Sequence, residues 1–360
     1  LNESTATRYQ RLRRTAQMVG LAVGAAWLAI VVFSPAGRWV ADWAWSASPG
    51  WAVLLFVTAL VVVWEAVALP ASVFAAVRGE RRFRKGDVAV SSLLIAQFRD
   101  TCTGIVIAIA GGLVVYGAIA LAGGWWWLVV GGLGAPMVVV ATAVAGVTVR
   151  AAADGLPVPR EALTDRLSAL VERASGRRVP VREWTDPASA APTALVTGVG
   201  PSGAILLSRS MVADWSDDEI AVVVAHELSH HVHHDLWRKA ALDALVLVAA
   251  LGAAHVVTVT AGPGLDVQAL ADLTALPLIG LTAWLAWWGL RPIRLAQSRA
   301  HERAADRYAL SVTGNPEAFR TAIRRLAAQH LAEERPSTVT RLFFHRHPTV
   351  EERLTASLKR

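Results

Sequence analysis

Apolar residues run through this chain in blocks rather than in alternation. Six blocks reach the roughly 18–20 residues that an α-helix needs to cross a bilayer. They lie near residues 18–36, 51–77, 103–121, 126–149, 241–259 and 273–290. Two segments between and after them, about 150–239 and 291–360, alternate polar with apolar positions and read as folded outside lipid. The first opens with an amphipathic helix over 160–175. Strand-like runs follow at 179–184, 193–197 and 204–207, with Gly198, Gly200, Pro201 and Gly203 turning between the last two. Asp217 or Ser216 then caps a helix that passes through Glu219 to about Asp235. The second segment reads as mostly helical, with a break at Gly314 to Pro316.

This pattern predicts a mostly α-helical polytopic membrane protein with about six transmembrane helices. Four spans make an N-terminal membrane domain over 1–150. An α+β domain with a small sheet occupies 151–360, interrupted by a membrane hairpin at about 241–290. Composition agrees: 54% of residues are hydrophobic and 18% charged, against about 45–50% and 25% in soluble domains. Disordered, collagen-like and disulfide-stapled chains are thereby excluded. Cys102 is the single cysteine, so no intrachain disulfide exists.

The net charge of +7 fits either nucleic acid or a membrane surface, and placement decides between them. Arg78, Arg81, Arg82, Arg84 and Lys85 sit between the second and third spans, whereas the alternate loops hold a single basic residue, Arg38, and acidic residues such as Asp266. Basic loops stay on the cytoplasmic side. Both termini and the 150–240 segment are therefore expected in the cytoplasm, in a plasma membrane of bacterial type. Trp39, Trp43, Trp45 and Trp51 form an aromatic belt opposite. The first span, preceded by Arg8, Arg11, Arg13 and Arg14, reads as an uncleaved anchor. The basic charge is thus accounted for by the bilayer, and no nucleic-acid partner is expected.

Chemistry is concentrated in the helix reading HELSH, where His226 and His230 stand four residues apart. That spacing puts two imidazoles on one face, within reach of one tetrahedral zinc ion. Glu227 beside them can act as a base toward a water polarised by the metal. His231, His233 and His234 crowd the same stretch, and His230 and His234 repeat the spacing; a solvated helix end accounts for most of them. A catalytic zinc needs a third protein ligand. Glu302 in SRAHERAAD is the best candidate, and Asp306, one turn on, can accept the N–H of a ligating imidazole. An Arg/Glu helix with ordinary surface pairs has the same spacing. Glu65, near the middle of the second span, is functional by default or else protonated or paired.

HELSH followed by Asp235, with SRAHERAAD after a membrane hairpin, resembles the HtpX and type I CAAX prenyl protease family of integral-membrane zinc metallopeptidases. HPTVEERL, from His347, is similar to that family's HPxxxER segment, and LPASVFAAVRGERRFRKG, from Leu69, more loosely to a stretch of the CAAX branch. The resemblance implies a gluzincin-type site facing the cytoplasm. One Zn2+ per chain is held by His226, His230 and Glu302; Glu227 is general base and acid; Asp306 supports a ligand. His347 and Arg353 are the basic residues nominated to stabilise the oxyanion, with a purely structural role as the alternative. Two departures stand out: six spans where the eukaryotic CAAX enzymes have seven, and Thr193 where the family often has asparagine in the presumed substrate strand.

The expected function is zinc-dependent endopeptidase action on membrane or membrane-proximal proteins, with peptide or protein substrates and the bilayer as partners. Three rivals stand beside it: processing of C-terminal lipidated peptides, a non-catalytic sensor or scaffold on the same fold, and a transporter. An intact Glu227 disfavours the second, and the scarcity of polar residues in the spans disfavours the third. Oligomeric state is not legible.

Overall fold

A computed structural model describes residues 5–83, 90–151, 156–176, 178–184, 193–197, 203–329, 333 and 336–358. The expected turn residues Gly198, Gly200 and Pro201, and the basic Arg84 and Lys85, lie outside them. The chain begins with five helices, α1 (Thr5–Phe33), α2 (Ala36–Ala47), α3 (Ala52–Phe83), α4 (Val90–Ala122) and α5 (Trp126–Ala151). There follow β1 (Leu156–Pro157), α6 (Glu161–Ser175), β2 (Val181–Trp184), β3 (Ala194–Val196) and β4 (Ile205–Ser208). Helices complete the order: α7 (Arg209–Asp214), α8 (Asp217–Val232), α9 (Asp235–Ala261), α10 (Ala275–Gly289), α11 (Arg291–Thr313), α12 (Pro316–Gln329), α13 (Thr338–Phe344) and α14 (Val350–Ala356). They form two compact units, residues 1–136 with 244–290 and residues 137–243 with 291–360.

In the first unit apolar helices pack through small residues. A Cβ on Gly131 would meet Val248 at 2.8 Å and one on Gly112 would meet Val57 at 2.9 Å, so glycine lets the helices approach. Trp126, Leu251, Ala254 and Leu278 share one core, and Val31, Phe56, Leu60 and Leu273 another. The hairpin 244–290 therefore groups with the N-terminal helices. Arg38 and Asp266, each isolated in sequence, find one another: Arg38 Nη2 donates to Asp266 O at 2.5 Å and to Asp272 Oδ2 at 3.0 Å. Glu65 on α3 faces Gly104 of α4 and has no hydrogen-bond or ion-pair partner among the described residues.

Among the described residues four stretches are long and apolar enough to cross a membrane, Gln10–Phe33, Pro49–Pro70, Leu94–Met137 and Asp235–Leu265. The third holds α4 and the start of α5, separated by one 3₁₀ turn at Gly123–Trp125 in which Gly123 has φ 52°. The block expected as a sixth span is α10, whose 15 residues extend about 22 Å at 1.5 Å per residue, short of the roughly 30 Å hydrocarbon layer.

The second unit is built on a four-stranded mixed sheet of order β1-β2-β4-β3. β2 and β4 run parallel, and β1 and β3 are the antiparallel edges. The two-residue β1 was not expected; Leu156 and Pro157 carry no alternating pattern to betray it. Central β4 is buried throughout, as its run of Ile205, Leu206 and Leu207 requires. Helix α8 is buried nearly all round through Ile220, Val222, Val224, Ala225 and Leu228, and packs against α6, α11, α12 and β3. Ser216 starts it with a capping box: its hydroxyl accepts from Glu219 N while Glu219 Oε2 accepts from Ser216 N at 2.9 Å. Gly314, at φ 61°, ends α11, and Asn315 Oδ1 accepts from Ala318 N at 3.0 Å to open α12.

Candidate metal centre

Helix α8 stops at Val232, three residues before the expected end, because His234 adopts φ 56°. A left-handed conformation is uncommon for a residue with a side chain, and it reverses the chain into α9 within two residues. The reversal returns Asp235 to α8, where its Oδ2 accepts from His230 Nδ1 at 2.9 Å. His230 Nε2 is thereby left as the lone-pair nitrogen, 3.8 Å from Glu302 Oε1.

His226, one turn earlier, meets α11 at two levels. Its Nε2 lies 3.3 Å from Glu302 Oε2 and its Nδ1 3.0 Å from Asp306 Oδ1. The ring edge-stacks on His230 with centroids 5.1 Å apart. One ligating atom each from His226, His230 and Glu302 lies within 4.8 Å of the other two, and these form the only such group of histidine, cysteine or carboxylate residues among those described. Metal–ligand bonds of about 2.0–2.1 Å in a tetrahedron imply ligand–ligand edges of about 3.4 Å. The 3.3 and 3.8 Å separations, one to each oxygen of Glu302, lie near that length. Glu302 Oε2 is buried and lacks an aligned hydrogen bond, which suits an atom whose partner is a cation. Two imidazoles and a carboxylate make a donor set suited to zinc.

The electrostatics follow from this packing. Burial alone would lower the His226 imidazole, but acceptance by Asp306 and Glu302 outweighs it and pushes the group up to about 9. Burial works against the charged forms of Glu302 and Asp306 too. Yet His226 and His347 hold Glu302 well below the usual carboxylate range, and His226 and Arg353 do the same for Asp306. A zinc ion must displace the His226 proton to bind.

Glu227 is half-buried beside His226 and has no hydrogen-bond or ion-pair partner among the described residues. His347 Nδ1 lies 2.8 Å from Glu302 Oε2, with its side chain 63% exposed. Arg353, by contrast, is turned inward. Its Nε and Nη2 donate to Asp306 at 2.8 and 2.5 Å, and 14% of its side chain is exposed.

The other histidines of the HELSH run lie apart from the ligand group. His231 Nε2 bonds Val196 O at 2.5 Å, tying α8 to β3. His233 Nδ1 sits 2.9 Å from Ser229 Oγ at the helix end, and its ring packs edge-on to Tyr308. Sequence reasoning gave no role to Asp235, to His301, whose Nε2 lies 3.6 Å from Asp235 Oδ1, or to Arg299. The buried Arg299 Nη1 donates to Arg341 O at 3.0 Å and His345 O at 2.9 Å, anchoring the loop that carries His347.

The neighbouring sheet edge is also defined. Thr197 N donates to Ala204 O at 2.9 Å and Ser208 N to Thr193 O at 2.8 Å. Residues 193, 195 and 197 thus face β4, and the N–H groups of Ala194 and Val196 and the C=O of Ala194 point away from it, to an edge with no further strand among the described residues. Thr193, expected to mark the substrate strand, stands at its start, with its N–H bonded to Ser208 Oγ at 2.8 Å.

Comparison with known proteins places these features. Residues 161–360 match the model of peptidase family M48. The chain is 31% identical over 214 residues to a "Protease HtpX homolog" of Nostoc punctiforme, spanning 53% of this chain and 71% of that protein. It is 29% identical over 165 residues to the "Uncharacterized metalloprotease YhfN" of Bacillus subtilis, covering 45% of this chain and 39% of that one. A homolog of HtpX from Salinibacter ruber is 30% identical over 183 residues, 45% of this chain and 62% of its own length. The crystal structure of S. mikatae Ste24p shares the fold with a TM-score of 0.74 at 17% identity, over 98% of this chain and 87% of that one.

Proposed function

The chain belongs to peptidase family M48, and from that premise we propose that it is an integral-membrane zinc endopeptidase acting on membrane or membrane-proximal proteins. The observation that carries the reading is the convergence of ligating atoms of His226, His230 and Glu302 within 4.8 Å of one another, beside a Glu227 with no partner among the described residues.

His226 Nε2, His230 Nε2 and a Glu302 oxygen would hold the ion. Zinc there supplies an acidified water and a positive field for the scissile carbonyl. Glu227 takes the proton of the attacking water on a carboxylate oxygen and passes it to the leaving amine, which needs a carboxylate not already engaged. Asp235 and Asp306 fix which nitrogen of each imidazole faces the ion, a task suited to their buried positions. His347, exposed and with its Nδ1 2.8 Å from Glu302 Oε2, would donate to a developing oxyanion. Arg353 belongs to a different task from the one its sequence position suggested: with two of its nitrogens on Asp306, it positions Asp306 and hence His226. An extended peptide would add to β3 through the open N–H and C=O groups of Ala194 and the N–H of Val196, which reads backbone rather than side chains.

Six crossings complete the reading, with α4 and α5 as separate spans and α10 extended to Leu273 and Leu290 at its ends. The basic loop 78–85 and the acidic or uncharged loops opposite then set both termini and the metal centre in the cytoplasm of a bacterial-type cell. Purified wild-type protein should cleave a flexible unmodified substrate such as casein, and Glu227→Gln should retain about one zinc per chain while losing at least 100-fold in rate. Cleavage confined to farnesylated CAAX peptides would transfer the assignment to prenyl-peptide processing, and undiminished cleavage by Glu227→Gln would remove the glutamate from the mechanism.

A further inference from the structure

Helix α13 stands two residues before His347 and exposes Val339 and Leu342, one turn apart, by 66% and 36%. A ladder of contacts fixes its depth. Gln297 Nε2 on α11 donates to Arg238 O on α9 at 3.1 Å, and Arg294 Nε, one turn earlier, donates to Asp243 Oδ1 at 2.6 Å. The two helices therefore run antiparallel here, and each step back along α11 is a step deeper along α9. The mainly apolar run of α9 begins at Ala240, inside the candidate span Asp235–Leu265. Asp243 already lies within that run, nearly buried and held by both Lys239 and Arg294. One turn beyond Arg294, Arg291 Nε donates to Phe343 O at 2.6 Å, and its guanidinium lies 6.0 Å from the Phe344 ring centroid. The C-terminal end of α13 is thus tied at or below the level where α9 turns apolar.

We propose that α13 is an interfacial helix, seated at the headgroup–acyl boundary of the bilayer with Val339 and Leu342 in lipid, and that it suspends the loop of His347 from the membrane surface. The lipid, rather than another protein, is the occupant because of this depth. Ile293 of α11 is exposed beside Arg294, and Leu236 and Trp237 of α9 are exposed about two turns shallower. Arg346, exposed just after α13, supplies a cationic head of the kind that snorkels toward phosphates from such a layer. Arg299 carries the consequence inward, since its bonds to Arg341 O and His345 O attach both ends of the α13 turn to the helix bearing Glu302. The seat stands on geometry alone; only its consequence for His347 rests on the proposed peptidase function.

Because Cys102 is the single cysteine, Cys102→Ser gives a background for one spin label at a time, in the full chain carrying Glu227→Gln and reconstituted in nanodiscs with anionic lipid. Labels at positions 338 to 344 are compared with one at Leu245, exposed on α9, and one at Asp165, exposed on α6. Power saturation with oxygen against a water-soluble nickel chelate reads depth without any peptidase activity. Expected is a helical period, with oxygen favoured at 339 and 342 as at 245. The same labels in detergent-free buffer-facing behaviour, as at 165, would overturn the proposal, and so would dipolar broadening at 342 that signals a second copy. Conservative Leu342→Ile and disruptive Leu342→Asp, read through a label at 339, guard against a label that merely dislodges the helix: the first should keep the depth and the second should lose it.

Discussion

Arg353→Ala separates two roles that the sequence left entangled. The guanidinium binds Asp306 through Nε and Nη2 at 2.8 and 2.5 Å, with 14% and 5% of the two side chains exposed. Removing one partner of a buried pair costs about 3–5 kcal/mol, because the survivor is left charged in a site that water cannot reach. Stabilities of about 5–15 kcal/mol make that a large fraction. Asp306 would keep only His226 as a partner, and a His226 drawn further toward its protonated form would bind zinc less well. Arg353→Ala should therefore lose thermal stability and zinc affinity together, whereas Arg353→Lys, which keeps the charge but not the fork, should fall between. The assays are thermal unfolding in detergent with and without a chelator, and zinc competition with a chromophoric chelator. A variant that melts and binds zinc like wild type yet turns over at least 100-fold more slowly would refute this reasoning and restore Arg353 to the oxyanion.

Three further outcomes follow from the same contacts. Asp235→Asn, which keeps the shape but weakens the acceptor for His230 Nδ1, should lower zinc affinity about 10- to 100-fold while His230→Ala abolishes it; equal affinity in Asp235→Asn and wild type would remove Asp235 from that task. Zinc affinity should fall about tenfold per pH unit below about 9, the value His226 reaches in the fold. The zinc-free protein should show the opposite trend: a folded value above the unfolded one of about 6.5 gives stability fully present below 6.5 and lost as pH rises through about 9. Affinity that stays flat between pH 6.5 and 8.5 would contradict both. Reporter fusions after Lys239 should read cytoplasmic and those near Ser46 and Gly264 external; an external signal at 239 would move the metal centre to the other face.

What the sequence disclosed depended on whether a feature was periodic or local. The pair His226 and His230 and the candidate Glu302 were legible because helix geometry turns spacing into position. The apolar blocks were legible for the same reason, although block length alone could not tell that the regular helix of the last one, α10, is 15 residues long. Asp235 was visible as a residue but not as a partner, because its place beside His230 depends on His234 adopting φ 56°, and nothing in HHVHHD announces a left-handed histidine. The partner of Arg353 was hidden for a related reason. A basic residue near a catalytic motif looks available until the fold shows a carboxylate, 47 residues away in sequence, already holding it.

Charge explains why these particular partners surround the centre. Glu302, Asp306 and Asp235 are all buried, and Arg353 is the cation paired with one of them. Three carboxylates against one guanidinium leave two negative charges in a place where uncompensated charge is costly. Without metal, part of that excess is met by a proton on His226, which is why the imidazole rises to about 9 despite its burial. A divalent cation meets it fully and releases the proton. Were Arg353 absent, the excess would be three, and the proton on His226 would be held more tightly still. Were a second guanidinium present in its place beside Glu302, the cavity would repel the ion. The arrangement is therefore matched to a dication on grounds of net charge as well as of distance, and the two arguments rest on different atoms: the distances on imidazole nitrogens and Glu302, the charge on Asp235, Asp306 and Arg353 around them.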